Sequence, residues 1–113
     1  GQKPSSHTIS RSNFRHLYWS IRQQLVHHAV TGCDMRPGDL LGSGTISGAS
    51  EGSYGSMLEL AWMGTKPIAL PDGEQRTSIQ DGDTVGMTAV CERDDLPWKV
   101  GFGDCNGRVV PAV

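Results

Sequence analysis

The stretch from Leu40 to Trp62, LLGSGTISGASEGSYGSMLELAW, constrains this chain more than any other part of the sequence. Two short apolar runs flank a polar loop, and the second run contains one acid, Glu59. In a strand, successive side chains point to opposite faces, so the Glu59 side chain would lie on one face and those of Leu58 and Leu60 on the other. A carboxylate that faces an apolar layer costs several kcal/mol unless it is paired or hydrogen-bonded. We therefore expect Glu59 to meet a polar partner or to line a cavity; the alternative is a solvent-exposed sheet face.

The loop inside this stretch is rich in glycine and in hydroxyl side chains. Glycine allows positive φ and close approach of a ligand to the main chain, and loops held by a rigid scaffold often carry binding groups. A binding loop is therefore one interpretation, and a flexible surface loop is the other. The residues concerned are Gly42, Gly44, Gly48, Gly52 and Gly55, together with Ser43, Thr45, Ser47, Ser50 and Ser53.

One amphipathic helix is predicted near the N-terminus, from Ser12 or Asn13 to His28, with Ser12 as its N-cap. Apolar residues recur at three- and four-residue spacing through this segment, and Thr31-Gly32 provides the stop. Its end contains the pair His27-His28. Adjacent helical residues point about 100° apart, so a favourable interaction with the helix C-terminus is a better explanation for the pair than a shared metal ion.

The remainder of the chain predicts short strands joined by turns. Pro71-Asp72-Gly73 is typical of a hairpin turn, and Asp81-Gly82-Asp83 of a second turn. The fold class is therefore α+β and mostly β, with one helix packed on an irregular, mostly antiparallel assembly. The predicted strands begin at Leu40-Leu41, include Glu59, and continue with Lys66–Leu70, Glu74–Ile79 and Thr84–Glu92, before a glycine-rich and then apolar end.

Composition limits the possible functions. A chain of 113 residues with 19% charged residues and a net charge of -2 has no basic footprint for nucleic acid or anionic lipid. No apolar run approaches the roughly 18 residues of a membrane span. The three widely spaced cysteines form no CxxC pair, which indicates reduced thiols and a cytoplasmic protein. Residues 1–11 are polar and are expected to be a cut end or linker, with the domain proper at 12–113.

Four runs of sequence resemble the fumarylacetoacetate hydrolase family, and specifically its fumarylacetoacetase members. They are SNFRHLYWSIRQQLVHHAVTGCDMRPGDLLGSGTISG, GSMLELAWMGTKPIAL, DGDTV and GFGDCNGRVVPA, and they extend almost without gaps from Ser12 to Ala112. The resemblance implies the C-terminal portion of a catalytic domain with a mixed β-roll, and roughly the last quarter of a larger homodimeric enzyme.

That family resemblance also implies an activity. Family members hydrolyse a carbon–carbon bond of 4-fumarylacetoacetate to give fumarate and acetoacetate, in tyrosine and phenylalanine catabolism. They use metal-bound substrate, with Mg2+ and/or Ca2+, and a water activated by histidine. By this resemblance Thr45 of SGTISG contacts the substrate and Glu59 of SMLEL orients the catalytic histidine. The metal ligands and the histidine belong to a part of the family sequence outside this chain.

Two other functional classes remain open. The chain lacks a nucleophile motif, a P-loop and an HExxH motif, and no histidine lies near Glu59 in sequence. It is thus expected to be inactive by itself, and a non-catalytic folding or dimerisation fragment is an alternative. Without the resemblance, a small β-rich ligand-binding domain that uses the Gly/Ser/Thr loop also fits the pattern.

Overall fold

The computed structural model describes residues 6–113, which fall into two compact units that are considered separately, one ending at Ser78 and the other spanning Ile79–Val113. The first unit contains two α-helices, two short 3-10 helices and one small sheet, and the second unit contains a two-stranded sheet. In chain order the elements are a 3-10 helix at Phe14–His16, α1 at Ile21–Ala29, a 3-10 helix at Glu51–Ser53, α2 at Met57–Leu60, β1 at Ile68–Ala69, β2 at Gln75–Arg76, β3 at Thr84–Cys91 and β4 at Val100–Arg108.

The predicted helix exists, but its predicted start at Ser12 or Asn13 is wrong. Asn13 caps only the 3-10 turn, and α1 begins after Ser20. There the Ser20 Oγ accepts from the Gln23 N–H, while the Gln23 side chain accepts from the Ser20 N–H at 2.8 Å. This reciprocal capping box satisfies two free amide groups at the helix start. The predicted cap, Ser12, instead donates its hydroxyl to the Ile46 carbonyl at 2.7 Å.

The segment around Glu59 is helical, so the predicted strand there is wrong. α2 is one turn long, and its N-cap Ser56 accepts the Glu59 N–H on its side-chain oxygen. A serine three residues before a glutamate is a helix-start pattern, and this local bond outweighs the alternation of apolar side chains. Within residues 6–113 no strand precedes Ile68, so the strand predicted at Leu40-Leu41 is also absent.

The hairpin predicted around Pro71-Asp72-Gly73 is confirmed, although its strands are shorter than expected. β1 and β2 pair antiparallel, with Ile68 opposite Arg76. Gly73 has a φ of +88°, a conformation that glycine adopts without steric cost. The Asp72 carboxylate accepts the Glu74 N–H at 3.0 Å, which closes the turn.

The second unit is a hairpin of β3 and β4, in which β3 matches the predicted Thr84–Glu92 strand closely. Thr84 pairs with Arg108 and Cys91 with Val100, with an irregularity between Thr88 and Val90. β4 was not predicted as a strand because its glycines are weak strand formers. β4 forms because its main chain pairs with the neighbouring strand β3. The sequence pattern of β4 alone does not indicate this pairing.

Little of this chain is buried. Among the described residues only Ala61, at 0% exposure, and Ser53, at 8%, are inside, so the small core lies where α2 meets the Gly/Ser/Thr loop. The apolar side chains of α1 are exposed, including Ile21 and Val26. The mixture of two α-helices and four strands in residues 6–113 is consistent with the predicted α+β class, but the strands form only two-stranded sheets and do not make this part of the chain mostly β. No helix in residues 6–113 has the length and apolar character needed to cross a membrane.

Candidate functional site

Glu59 lies at the centre of a hydroxyl cluster. The Ser47 Oγ lies 2.8 Å from each carboxylate oxygen of Glu59, and the Ser56 hydroxyl donates to Oε2 at 2.9 Å. A serine hydroxyl has a single hydrogen, so Ser47 shares it between the two oxygens. The expectation that Glu59 meets a polar partner is confirmed, although the element that presents it is a helical turn and not a strand.

These hydrogen bonds favour the ionised form of the carboxyl group. The hydroxyl of Ser47, followed by that of Ser56, holds the pKa of Glu59 below its ordinary value, because both bonds favour the ionised form. The Glu59 side chain is otherwise exposed in this chain. The site therefore presents an exposed carboxylate, held by two hydroxyl groups, that has the capacity to accept further hydrogen bonds.

The loop that contains Thr45 approaches the start of α2 closely. A Cβ added to Gly55 would lie 2.5 Å from the Ile46 carbonyl oxygen and 2.7 Å from the Thr45 Cγ2. The Gly55 N–H donates to the Ser47 Oγ at 3.0 Å. Thr45 and Glu59 are thus linked through two residues, Gly55 and Ser47, and the two candidate site residues belong to one local structure.

Thr45 is an exposed residue of the loop. Its methyl group faces Gly55, the residue is exposed, and no described residue forms a hydrogen bond with the side chain. A hydroxyl with this environment is free to bond a ligand. Thr45 and Glu59 together therefore offer one neutral hydrogen-bonding group and one anionic acceptor.

Comparison with known proteins establishes the relationship of the chain. A family model described as "Fumarylacetoacetate (FAA) hydrolase C-terminal" matches residues 5–110. The chain belongs to the fumarylacetoacetate hydrolase family. Relatives with the name fumarylacetoacetase include those of rat (Rattus norvegicus), which is 58% identical over 106 residues, and human (Homo sapiens), which is 54% identical over 106 residues. Each of these two alignments covers 94% of this chain and 25% of the relative. A relative from Arabidopsis thaliana is 53% identical over 114 residues, 97% of this chain and 26% of its own length. The chain thus spans about a quarter of the length of these fumarylacetoacetase relatives.

The fumarylacetoacetate hydrolase family resemblance also implied a metal ion, and the described residues do not fit one. Within residues 6–113 no three His, Cys, Asp or Glu side chains are grouped so that they could hold a metal. His27 and His28 lie in the last turn of α1, where the helix-end interpretation placed them. The His28 Nε2 instead contacts the thiol of Cys33 at 3.3 Å.

Three features of the site in this family member go beyond the sequence-based predictions. Ser47 was named only as one loop hydroxyl among five, and Ser56 was not connected with Glu59. His16 was also missed: its Nε2 would lie 2.9 Å from a Cβ added to Gly48, so the ring packs directly on the loop. The Ser-Met-Leu-Glu spacing could have revealed Ser56, whereas no local signal connects His16 or Ser47 with their contacts.

Proposed function

We propose that this chain supplies part of the active site of a fumarylacetoacetase, an enzyme that hydrolyses a carbon–carbon bond of 4-fumarylacetoacetate to fumarate and acetoacetate in tyrosine and phenylalanine catabolism. The relatives with this name and the matching family model support the proposal. The single structural observation that carries it is the oriented Glu59 carboxylate, held by Ser47 beside the loop of Thr45. A solvated carboxylate without hydrogen-bond partners would not support the proposal.

In this proposal Glu59 is a positioning residue for a histidine contributed by another part of the full-length protein. A glutamate is ionised at neutral pH, and the hydroxyls of Ser47 and Ser56 lower the pKa of Glu59 further. An ionised carboxylate accepts the imidazole N–H, selects the tautomer, and stabilises the imidazolium that forms when the other ring nitrogen takes a proton from water. The proton acceptor in the reaction is the histidine, and Glu59 remains unprotonated throughout.

Thr45 has the second role in the proposal, as a substrate contact. Its hydroxyl is exposed and unused by the described residues, and it can donate one hydrogen bond to a carbonyl or carboxylate oxygen of the diketo acid. Such a bond contributes about 0.5–1.5 kcal/mol. Thr45 thus affects substrate binding and Glu59 affects the chemical step.

Four further predictions accompany this activity. The residues described here offer no metal site, so any Mg2+ or Ca2+ is expected to have its ligands elsewhere in the full-length protein, and no step is assigned to it. A mixed β-roll for the complete domain, a homodimer and a cytoplasmic location also remain predictions. The three exposed free thiols, Cys33, Cys91 and Cys105, are compatible with that last prediction.

A second candidate is a non-catalytic role in folding or dimerisation for the isolated chain. The observation that favours it is the extensive exposure of apolar side chains, with only Ala61 and Ser53 buried among the described residues. A hydrolysis assay on the 113-residue chain with Mg2+ present tests whether the isolated chain is non-catalytic, and the Glu59→Gln variant of the full-length protein tests the main proposal. We expect no turnover by the isolated chain, because the proposed histidine is absent from the site, and turnover by that chain would contradict the expectation.

The test of the main proposal is the Glu59→Gln variant of the full-length protein. We expect kcat to fall by about 10²- to 10⁴-fold, the usual contribution of general acid–base catalysis, with KM nearly unchanged. Glu51→Gln is a matched control, because Glu51 is an exposed acid nearby that pairs only with Lys66 at the surface. A Glu59→Gln enzyme that turns over at the wild-type rate would refute the role.

A further inference from the structure

We propose that Ser47 is the positioning residue for Glu59 and that it couples the carboxylate to the loop that carries Thr45. The effect on catalysis rests on the proposed function, whereas the contact between Ser47 and Glu59 is a property of this chain. Ser47 is partly buried and Glu59 is exposed, so the hydroxyl anchors the acid from the interior side of the site.

The Ser47 hydroxyl both donates and accepts a hydrogen bond. Its hydrogen lies between the two carboxylate oxygens of Glu59, each 2.8 Å from Oγ, and its oxygen accepts the Gly55 N–H at 3.0 Å. Since the main-chain amide fixes the oxygen and the carboxylate fixes the hydrogen, the Ser47 rotamer is locked. The fixed Ser47 hydroxyl in turn holds the Glu59 carboxylate in one orientation.

Ser56 has a different role, although it touches the same carboxylate. It lies three residues before Glu59 and accepts the Glu59 N–H as the N-cap of α2, and it reaches only Oε2. Its bonds therefore hold Glu59 to its own helical turn. Ser47 lies twelve residues away in sequence and joins the acid to a separate segment.

The coupling to Thr45 follows from the close approach at Gly55. Gly55 leaves no room between itself and the Thr45 methyl or the Ile46 carbonyl, and its N–H holds Ser47. A displacement of the Thr45 loop thus moves the Ser47 hydroxyl with it. Substrate contact at Thr45 and alignment of Glu59 are consequently linked through one hydroxyl group.

The first test uses the full-length protein and needs no activity. Carboxyl chemical shifts measured by NMR during a pH titration give the pKa of Glu59. We expect Ser47→Ala to raise this pKa towards its ordinary value and Ser47→Thr, which retains a hydroxyl, to keep it low. Ser43→Ala is the matched control, because the Ser43 hydroxyl bonds only the neighbouring Gly44 carbonyl, and it should leave the pKa unchanged. An unchanged pKa in Ser47→Ala overturns the proposal.

A second measurement covers the case in which Ser47→Ala fails to fold. In the wild-type full-length protein, the Gly55 amide proton and the Ser47 Cβ should shift with the same apparent pKa as the Glu59 carboxyl group, since the hydroxyl connects them. A Gly55 amide signal that does not respond to the ionisation of Glu59 overturns the proposal without any variant.

The catalytic meaning is tested in the full-length protein. We expect Ser47→Ala to lower kcat about tenfold with little change in KM, and Ser47→Thr to restore most of it. The acid limb of the kcat/KM profile should move to lower pH, because a poorly oriented carboxylate stabilises the imidazolium less. A purely structural loss would reduce the active fraction without shifting that limb, and an unshifted limb counts against the inference.

The outcomes distinguish this inference from the proposed function. If the NMR titration supports the contact while Glu59→Gln remains fully active, the proposed function fails and the Ser47 contact stands as a structural feature. If Glu59→Gln is inactive while Ser47→Ala matches wild type in both assays, the proposed function stands and the inference about Ser47 fails.

Discussion

Replacing Gly55 with alanine is the sharpest perturbation of the junction between the loop and α2. The added Cβ would lie 2.5 Å from the Ile46 carbonyl oxygen and 2.7 Å from the Thr45 Cγ2, whereas comfortable contacts are about 3.5–4.0 Å. The Ile46 oxygen is part of the main chain and cannot rotate away, so the two segments must separate by about an ångström. Overpacking of this kind costs about 1–3 kcal/mol. The φ of Gly55 lies outside the left-handed region, so the cost comes from contact alone.

Native-state hydrogen exchange measures this cost locally. A loss of about 1–3 kcal/mol in the free energy of opening corresponds to roughly 5- to 150-fold faster exchange. Suitable reporters are the amides of Gly48, which donates to the Ser53 carbonyl at 2.9 Å, and Ala61, which donates to the Met57 carbonyl at 2.8 Å.

Gly52→Ala is the matched control for this experiment. An added Cβ at Gly52 meets nothing within 4 Å, so that variant should be neutral or slightly stabilised by its lower unfolded-state entropy. Equal exchange rates in Gly55→Ala and Gly52→Ala would refute the claim that the close approach at Gly55 joins the loop to α2.

Three further results are expected. Ser20→Ala should destabilise α1 by about 0.5–2 kcal/mol through loss of its capping box, measured as faster exchange of the α1 amides, and unchanged exchange would show that the cap contributes nothing. Thr45→Val in the full-length protein should raise KM roughly two- to tenfold by deleting one hydrogen bond, with kcat little changed; a normal KM would mean that this hydroxyl does not touch substrate. Because the folded-state pKa of Glu59 is lowered, its contribution to stability is complete above the ordinary carboxyl pKa and is lost as the pH falls through the lowered value. Glu59→Gln should therefore flatten the pH dependence of local opening in that window, and an identical pH dependence would contradict the assignment of the shift.

Local chemistry in the sequence predicts the turns and the long strand of this chain well. The turn at Pro71–Gly73 follows from the fixed φ of proline and the positive φ of glycine, and the alternation in Thr84–Cys91 identifies β3. The same local reasoning places the end of α1 correctly. These features depend on residues within a few positions of one another, which is the range over which a sequence pattern is informative.

The errors arose where two local signals competed. The apolar alternation around Glu59 indicated a strand, while the serine three residues earlier indicated a helix start, and the helix is what forms. In the same way Ser12 and Ser20 are both acceptable N-caps by residue type. Only Ser20 has a glutamine at the third helical position to complete the reciprocal pair.

The sequence by itself was sufficient for the family relationship and for the candidate residues Thr45 and Glu59, because its motifs are contiguous and specific. It also predicted that Glu59 would meet a polar partner or line a cavity, with a solvent-exposed face as the alternative. The structure shows hydroxyl partners on an exposed side chain.

Only the tertiary structure decided which groups those partners are. Ser47 reaches Glu59 because the loop folds back on α2 at Gly55, where the missing side chain permits close approach. Such a contact depends on the relative position of two segments in space. No periodicity or spacing along the chain encodes it, and the resulting hydrogen bonds orient the carboxylate and lower its pKa.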